Sequence, residues 1–414
     1  MRILILDTIH GGGVIGEALV KRGHSINLID VYRGDTQSPH CISPQQAIER
    51  DYDLLIHPVH LNPAYPLLRT LTCPSITHHQ AVRWIIGEEL KHVNPKPVIV
   101  EITGARGKTT TATALAFLLK GPGILHTSRG VFRCPGEEPV TRLSITPASL
   151  IQALQYGNGI EWMIGEISLG FIGNCDLAIL TSNEDYQIAG GNQSAYDWKK
   201  RSGFLCKQIL VPKGVSIGHD SEISTGDLIT ITGATCHYHY NDLSGEFENP
   251  LFILDGYNTP LQLAAAAALV LGIRPDRLSE FISLPGRMQI IYEKESVIID
   301  NASTGACLKT TCDAIRLLQQ IAPSAPFSLI IGQEDRAVCE NFLADDILTA
   351  IKTGPRPAEV FLVAGDDRLD ANMIVRYCTV EQIPVCIVKE RTSGIDCAKS
   401  RKFPAIVVSV KTWR

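Results

Sequence analysis

The strongest constraint on the fold of this 414-residue chain is a glycine-rich turn placed between a strand pattern and a helix pattern. The turn reads Thr-Gly-Ala-Arg-Gly-Lys-Thr-Thr over residues 103–110, after the apolar run Val98–Thr103 and before the helical stretch Ala112–Leu119. Glycines let backbone amides close around phosphate oxygens, and the amino terminus of a helix adds about half a positive charge. This order predicts a phosphate-binding loop within an α/β domain.

The side chains of the turn suit a nucleoside triphosphate and its metal ion. Lys108 is predicted to neutralise the β- and γ-phosphates, and the hydroxyl of Thr109 to ligate Mg²⁺. The usual spacing of such loops is not met, because Ile102 stands where the first glycine belongs. An ordinary strand–turn–helix with a surface lysine is the alternative. The predicted nucleotide site consists of Gly104, Ala105, Arg106, Gly107, Lys108, Thr109 and Thr110.

The spacing found in this turn resembles that of a known family. Thr-Gly-x-x-Gly-Lys-Thr-Thr is similar to the phosphate loop of the Mur ligases, ATP-dependent enzymes that include the peptidoglycan amino-acid ligases and folylpolyglutamate synthase. Downstream, Gly165-Glu166-Ile167-Ser168 resembles a segment of that family whose glutamate holds Mg²⁺. The resemblance implies that Glu166 is a metal ligand, and a carboxylate at a strand end suits a hard cation that prefers oxygen.

Three later segments extend the resemblance, in the expected order, to about residues 98–310. Pro285-Gly286-Arg287-Met288 is similar to the start of the family's last domain, which implies that Arg287 meets the ATP phosphates. A guanidinium suits that role because it stays charged and forms two hydrogen bonds at once. The run ending at Asp300 resembles a segment that contacts ribose or ATP. Gly256-Tyr257-Asn258 resembles the asparagine motif near adenine, although Asn258 is also a plausible helix cap.

Two positions test how far the family's metal chemistry extends to this chain. Tyr186 follows Asp185 where the family usually has a histidine, which leaves a second metal site open. Lys200 falls at the offset of a lysine that some members carboxylate with CO₂ to help bridge metals. The resemblance makes Lys200 a catalytic candidate, and a solvent-facing helical lysine is the other interpretation.

The amino-terminal segment carries a second glycine motif. Residues 11–16 satisfy Gly-x-Gly-x-x-Gly after a strand pattern and before a helix predicted around Glu17–Arg22. Asp30 ends the next strand pattern, and this arrangement is the dinucleotide-binding fingerprint. Several Mur ligases also begin with a Rossmann-like domain that grips an anionic substrate. With an ATP loop already present, cradling of substrate carboxylates or phosphates is favoured over NAD binding.

The residues around this motif resemble one branch of the family. Leu6–Gly12 and Ile29–Gly34 are similar to the opening of enzymes from methanogenic archaea that close the last carbocyclic ring of a nickel tetrapyrrole coenzyme. The resemblance implies a nickel-containing tetrapyrrole acid as the small-molecule substrate. The candidate substrate residues are His10, Gly11, Gly12, Gly13 and Arg33.

Other histidines occur at spacings similar to those of metal ligands. They are His57-Pro-Val-His60, His78-His79 and His237-Tyr-His239. None has a cysteine or carboxylate partner nearby in the sequence, so these histidines are interpreted as structural or surface residues.

Composition excludes several classes of protein. Lys and Arg number 38 against 43 Asp and Glu, so a net charge of −5 provides no general basic field for nucleic acid or anionic lipid. No apolar run reaches the roughly 18 residues that suggest a membrane span. Twelve scattered cysteines without a CxxC pair, and an amino terminus that resembles a strand and not a signal peptide, predict a reduced cytoplasmic protein. The oligomeric state is left open.

Together these patterns predict an α/β fold of three domains with the Mur ligase architecture. A Rossmann-like substrate domain (1–95) precedes a central P-loop ATP-binding domain (96–284) and a Rossmann-like last domain (285–414). The predicted reaction uses ATP and Mg²⁺ to convert a substrate carboxylate to an acyl phosphate, which a carbon of the same macrocycle then attacks. The alternatives are an amide-forming Mur or folylpolyglutamate-type ligase, an NAD-dependent oxidoreductase and a nucleotide-gated binding module.

Overall fold

The computed structural model describes residues 1–32, 40–334, 341–365 and 369–412. Contacts divide the chain into two compact units. One comprises Met1–Asn249 with Thr259–Glu280, and the other comprises Pro250–Asn258 with Phe281–Arg414. Each unit is described by itself below.

The first unit begins with a four-stranded parallel sheet in the order β2-β1-β3-β4. Adjacent strands β1 and β3 lead to connections on opposite sides, which makes the gap above their carboxyl ends a topological switch point. Its elements are β1 (Arg2–Leu6), α1 (Gly12–Val20), β2 (Ser25–Ile29), α2 (Pro44–Ile48), β3 (Leu54–His57), α3 (Pro66–Thr70), β4 (Ser75–Thr77) and α4 (His78–Leu90).

The same unit contains an eight-stranded sheet in the order β14-β13-β10-β5-β9-β6-β7-β8. The β6–β7 and β7–β8 pairings are antiparallel, and the other pairings are parallel. Strand β5 lies mid-sheet between β10 and β9. The elements are β5 (Val98–Thr103), α5 (Lys108–Leu118), β6 (Gly123–Thr127), β7 (Gly130–Cys134), β8 (Glu138–Thr141), α6 (Ser149–Gln155), β9 (Trp162–Glu166), β10 (Leu177–Leu180), the hairpin β11 (Gln187–Ile188) and β12 (Gln193–Ser194), α7 (Ala195–Gly203), β13 (Ile209–Val211), β14 (Glu222–Ser224) and α8 (Thr225–Leu228).

A small antiparallel sheet and an alanine-rich helix follow. The sheet is β15 (Ile229–Thr232), β16 (Thr235–Tyr240) and β17 (Leu243–Glu248), and the helix is α9 (Asp255–Val270). Short 3₁₀ turns span Ala189–Gly191, Pro250–Ile253 and Asp276–Glu280. Residues 263–268 of α9 are fully buried, as the sequence predicts for this apolar stretch. Among the described residues, every helix is too short or too polar to cross a bilayer.

The second unit holds a six-stranded sheet in the order β18-β19-β23-β20-β21-β22. Strand β18 is antiparallel to β19, and the remaining pairings are parallel. The elements are β18 (Gln289–Tyr292), β19 (Val297–Asp300), α10 (Leu308–Ile321), β20 (Phe327–Gln333), α11 (Ala344–Thr353), β21 (Glu359–Ala364), α12 (Ala371–Val380), β22 (Val385–Val388), α13 (Arg391–Ser400) and β23 (Ala405–Lys411).

The predicted α/β fold class is confirmed, with one large sheet in each of the three predicted ranges. The predicted domain boundaries after residues 95 and 284 remain a proposal. Two helices begin earlier than predicted: α5 starts at Lys108 and not at Ala112, and α1 starts at Gly12 and not near Glu17. Both starts carry glycine or β-branched threonine, residues of weak helix propensity, and burial in the unit outweighs that preference.

A buried carboxylate ties the middle strand of the central sheet to the loop that follows β9. Glu101 in β5 is fully buried and accepts hydrogen bonds from the backbone amides of Ile172, Gly173 and Asn174 at 2.8, 3.0 and 3.0 Å. These amides belong to a loop and not to a strand ladder. The carboxylate therefore fixes the backbone of the loop that follows β9.

We expect Glu101→Ala to lower the free energy of unfolding by about 2 kcal/mol, because a buried amide left without an acceptor costs about 1–3 kcal/mol. Only the Ile172 amide is buried, whereas those of Gly173 and Asn174 are partly buried and can bond to water. Urea unfolding followed by circular dichroism measures the change. The matched control is Glu17→Ala, which removes an exposed carboxylate from α1. Equal stability of the two variants would contradict the structural role of Glu101.

Candidate functional site

The predicted phosphate loop lies at the carboxyl end of β5, and its backbone requires glycine at two positions. Gly104 has a φ of 150°, and a Cβ there would lie 2.1 Å from the Thr181 hydroxyl oxygen. Gly107 has a φ of 81° and precedes α5 directly. The first backbone bond of α5 runs from the amide of Thr111 to the carbonyl of Gly107 at 2.9 Å. The helix therefore directs its first-turn amides toward the loop, the arrangement that binds phosphate.

A second loop, after β10, holds the phosphate loop in place. The Ser182 hydroxyl accepts hydrogen bonds from the amides of Ala105 and Arg106 at 3.0 and 3.4 Å. The Thr181 hydroxyl donates to the carbonyls of Thr103 and Arg106. The Arg106 guanidinium forms an ion pair with Glu184 at 3.0 Å. Sequence analysis missed these supporting residues, because only pairing of β10 with β5 brings them beside the loop.

The structure brings three predicted residues together beneath the loop. The Thr109 hydroxyl donates to Glu166 Oε2 at 2.8 Å, and Lys108 Nζ lies 3.9 Å from Glu166 Oε1. Lys108 Nζ also donates to the carbonyls of Gly104 and Ala105. Glu166 is 2% exposed, so its charge is compensated by these neighbours and not by water.

The hairpin between β6 and β7 completes this cluster with a residue that the sequence did not reveal. The amide of Ser128 donates to Glu166 Oε2 at 3.0 Å, and the Ser128 hydroxyl lies 3.0 Å from that of Thr109. Two hydroxyls and a carboxylate form an all-oxygen set, which suits Mg²⁺. The neighbouring His126 is fully buried, and burial lowers its pKa to about 4, so its imidazole is neutral at physiological pH.

The segment after β10 differs from the family pattern at Tyr186, which stands after Asp185 where the family usually has a histidine. Asp185 accepts hydrogen bonds from the Ser194 hydroxyl at 2.8 Å and the Tyr196 amide at 2.9 Å, and the latter is the main reason that its pKa is lowered. Its carboxylate thus fixes the start of α7.

Lys199 in α7 is fully buried, with its ammonium 4.6 Å from the centre of the Tyr186 ring. The predicted Lys200 is half-buried on the same helix, and its catalytic role remains a prediction.

Three predicted nucleotide contacts lie in the second unit. Asn258 lies inside α9, where its side-chain amide donates to the Phe252 carbonyl at 2.6 Å, so it is not the residue that caps that helix. Asp300 ends β19, is 6% exposed and accepts from the Ala302 amide at 3.0 Å. Arg287 is half-buried, and the Tyr257 hydroxyl donates to its carbonyl at 2.7 Å. Their contacts with ATP remain predictions.

The predicted substrate residues lie at the switch point of the first sheet. Gly11, Gly12 and Gly13 form the amino terminus of α1, where a Cβ on Gly12 would lie 1.7 Å from the Asp7 carbonyl oxygen. His10 precedes them and is hydrogen-bonded to the Asp7 carboxylate. Arg33 lies outside the described residues.

Comparison with known proteins bears on the family and the fold of the chain. The family described as "Coenzyme F430 synthetase CfbE, C-terminal domain" matches residues 290–412. The chain is 30% identical to the coenzyme F(430) synthetase of Methanosarcina acetivorans, over 89% of this chain and 91% of that protein.

Solved structures of Mur ligases share the fold. MurF from Acinetobacter baumannii has a TM-score of 0.60 at 14% identity, covering 90% of this chain and 84% of that chain. MurF from Thermotoga maritima, solved in complex with ADP, has a TM-score of 0.53 at 13% identity and covers 99% of this chain and 91% of that chain. The predicted Mur ligase architecture is confirmed.

We expect Ser182→Ala to weaken ATP binding about fivefold, since losing the acceptor for the two loop amides costs about 1 kcal/mol. Isothermal titration with ATP measures the effect. Ser400→Ala is the matched control, because it removes a hydroxyl that serves only the α13 carbonyl of Cys397 among the described residues. If both variants bound ATP like the wild type, the loop after β10 would not support the nucleotide site.

Proposed function

Because the chain belongs to the coenzyme F430 synthetase family within the Mur ligases, we propose that it is an ATP-dependent ligase that cyclises a nickel-containing seco-tetrapyrrole acid to coenzyme F430. The observation that carries the proposal is the phosphate loop with Lys108, Thr109 and buried Glu166 beneath it. This reaction contributes a cofactor of methanogenesis. It takes place in the cytoplasm, where ATP is supplied.

The first step transfers the γ-phosphoryl group of ATP to a substrate carboxylate. Both reactants are anionic, and two unit charges about 4 Å apart repel by about 4 kcal/mol at an effective dielectric of about 20. Lys108 offsets this repulsion, because its ammonium is only 14% exposed and is held at the loop by the carbonyls of Gly104 and Ala105. The products are ADP and an acyl phosphate.

Mg²⁺ fits the oxygen atoms present below the loop. Thr109 and Glu166 would hold the ion, with the Ser128 hydroxyl 3.0 Å from that of Thr109. When bound, Mg²⁺ neutralises charge on the phosphates. Glu166 itself orients the Thr109 hydroxyl and fixes the β6–β7 hairpin through the Ser128 amide.

Residues of the second unit extend the proposal. Arg287 binds the ATP phosphates, Asp300 binds the ribose or another part of ATP, and Asn258 lies near the adenine. In the first unit, Lys200 is retained as a catalytic candidate. Tyr186 occupies the position of the histidine found in amide-forming relatives, and its ring packs against the Lys199 ammonium.

The second step forms a carbon–carbon bond within one molecule. A carbon of the macrocycle attacks the acyl carbon, phosphate leaves with the electron pair of the broken C–O bond, and a proton leaves the attacking carbon. An incoming amino acid has no part in this step. An amide-forming ligase is the remaining alternative, and a requirement for an amino acid would favour it.

Lys108→Ala should reduce substrate-dependent ADP formation by about 100-fold or more, in keeping with the loss of one charged group that stabilises a transition state. A coupled assay of ADP release with ATP, Mg²⁺ and the tetrapyrrole acid measures this rate. Lys120→Ala, which changes an exposed lysine just after α5, should retain wild-type activity. ADP release that survived Lys108→Ala would refute the phosphoryl-transfer assignment.

Incubation of the wild-type protein with ATP, Mg²⁺ and the nickel seco-tetrapyrrole acid should change the absorbance spectrum of the tetrapyrrole and release one ADP per ring closed. Ring closure extends the conjugated system by a carbonyl group, which accounts for the spectral change. Replacing the acid by its ester should abolish both signals. Turnover that required an added amino acid would reverse the choice between ring closure and amide formation.

A further inference from the structure

A carboxylate and two histidines meet at the switch point of the first sheet, on loops that are distant in sequence. Asp7 and His10 follow β1, and His60 follows β3, its parallel neighbour. Their ligand atoms all lie within 4.8 Å of one another. Ligands of open α/β sheets bind in the crevice outside the strand ends at such a point. Sequence analysis interpreted His60 as structural, because its partners become neighbours only in the folded sheet.

Asp7 fixes the orientation and the tautomer of His10. Its Oδ2 lies 2.8 Å from His10 Nδ1 and also accepts from the His10 amide at 3.0 Å, while its Oδ1 accepts from the Ile9 amide at 2.8 Å. Asp7 is fully buried, so this carboxylate favours a proton on Nδ1. Nε2 of His10 is then left with a lone pair. The His10 side chain is 39% exposed, so that atom can be reached from the crevice.

The backbone holds this pair in a strained position. Asp7 has a φ of 84°, a conformation that is uncommon for residues other than glycine, and Gly12 is required because its α-carbon packs against the Asp7 carbonyl. Such strain persists where the surrounding structure enforces it, and it is concentrated at functional sites. The Asp7–His10 pair is thus held by the fold.

Two aromatic rings pack edge-on against His10. His60 lies edge-on at 4.4 Å and Tyr32 at 5.1 Å between ring centres. Burial lowers the pKa of His60 to about 4 and raises the pKa of Tyr32, so both are neutral at physiological pH. Among the described residues, Nε2 of His60 is buried without a hydrogen-bond partner. His60 and Tyr32 therefore place neutral aromatic rings beside His10, and Nε2 of His60 is a polar atom without a partner there.

The crevice is connected to the strand that carries Glu166. His79 Nε2 lies 3.1 Å from the carbonyl of Ser168, two residues after Glu166. A Cβ on Gly11 would lie 2.4 Å from the side chain of Ala148, which directly precedes α6. The loop after β1 therefore packs against the start of that helix. All of these residues belong to the first compact unit. The loop that carries His10 and the strand that carries Glu166 thus lie in the same packed unit.

We infer that His10 is a catalytic residue of the ring-closing step, in which its Nε2 takes the proton released by the attacking carbon. The inference rests on the proposed function. The C–C bond forms as the C–O bond of the acyl phosphate breaks, phosphate leaves with the electron pair, and the C–H proton moves to Nε2. Asp7 is the positioning residue that stabilises the resulting imidazolium. The proton then passes to water, since His10 is partly exposed.

The test separates the two steps of the reaction in a single turnover with ATP, Mg²⁺ and the nickel seco-tetrapyrrole acid. His10→Ala should form ADP within about twofold of the wild-type rate, whereas ring closure should fall about 100-fold or more, the usual contribution of a general base. Hydroxylamine should trap the accumulated acyl phosphate as a hydroxamate, and added imidazole should restore part of the ring closure. His92→Ala, which removes an exposed histidine, should behave like the wild type in both steps.

Two results would overturn the assignment of His10. One is ring closure by His10→Ala at the wild-type rate, and the other is loss of ADP formation together with ring closure, which would mean that His10 binds substrate. Failure of the proposed function gives a different result, because the wild-type protein would then form no ADP with this acid.

Asp7→Asn and Asp7→Glu test the positioning role. Loss of the carboxylate in Asp7→Asn removes the charge that stabilises the imidazolium, so ring closure should slow while ADP formation is retained. Asp7→Glu keeps a carboxylate in this position and should restore part of the ring closure. Equal loss of ring closure in the two variants would assign Asp7 a purely structural role.

Discussion

The site depends on how one buried carboxylate is compensated. Glu166 is 2% exposed at the end of β9, and a charge in that environment is tolerated only with close partners. It finds them on two separate elements. The start of α5 supplies the Thr109 hydroxyl and, 3.9 Å away, the Lys108 ammonium, and the β6–β7 hairpin supplies the Ser128 amide. The same contacts that satisfy Glu166 therefore assemble the phosphate loop, its lysine and the oxygen atoms suited to a metal ion.

Parallel strand order explains why these groups meet. Strands β9, β5 and β10 are neighbours, so the loops that follow them share one edge of the central sheet. The loop after β5 contributes the amides predicted to bind phosphate, the loop after β10 contributes the Ser182 acceptor, and β9 contributes Glu166. The first sheet repeats the principle with β1 and β3, whose loops bring Asp7 and His10 to His60. Each crevice is a consequence of topology, and the side chains give it its chemistry.

The sequence identified residues whose chemistry is local and missed those whose partners are distant. Gly104, Gly107, Lys108 and Thr109 lie within six residues, so one motif contains the turn, the charge and the hydroxyl. Ser128 and Ser182 have no motif of their own, because each serves a loop far away in the chain. The lysines of α7 show the same limit of sequence-based prediction. The spacing of the family's lysine points to Lys200, while packing of the helix buries Lys199 against Tyr186. The helices that start at Lys108 and Gly12 were predicted to start several residues further along the chain, because threonine and glycine have weak helix propensity.

The sequence by itself determined the alternation of strands and helices, the phosphate loop, and the ordered set of segments that resembles the Mur ligases. These features are encoded over short spans by periodicity, glycine and charge. Only the tertiary structure decided that Glu101 fixes the backbone after β9, that Ser128 and Ser182 support the loop, and that a strained Asp7 holds His10 beside His60. Apart from the local Asp7–His10 pair, these contacts join residues tens of positions apart. Strand pairing sets their distances, and burial makes each hydrogen bond count because water cannot replace it.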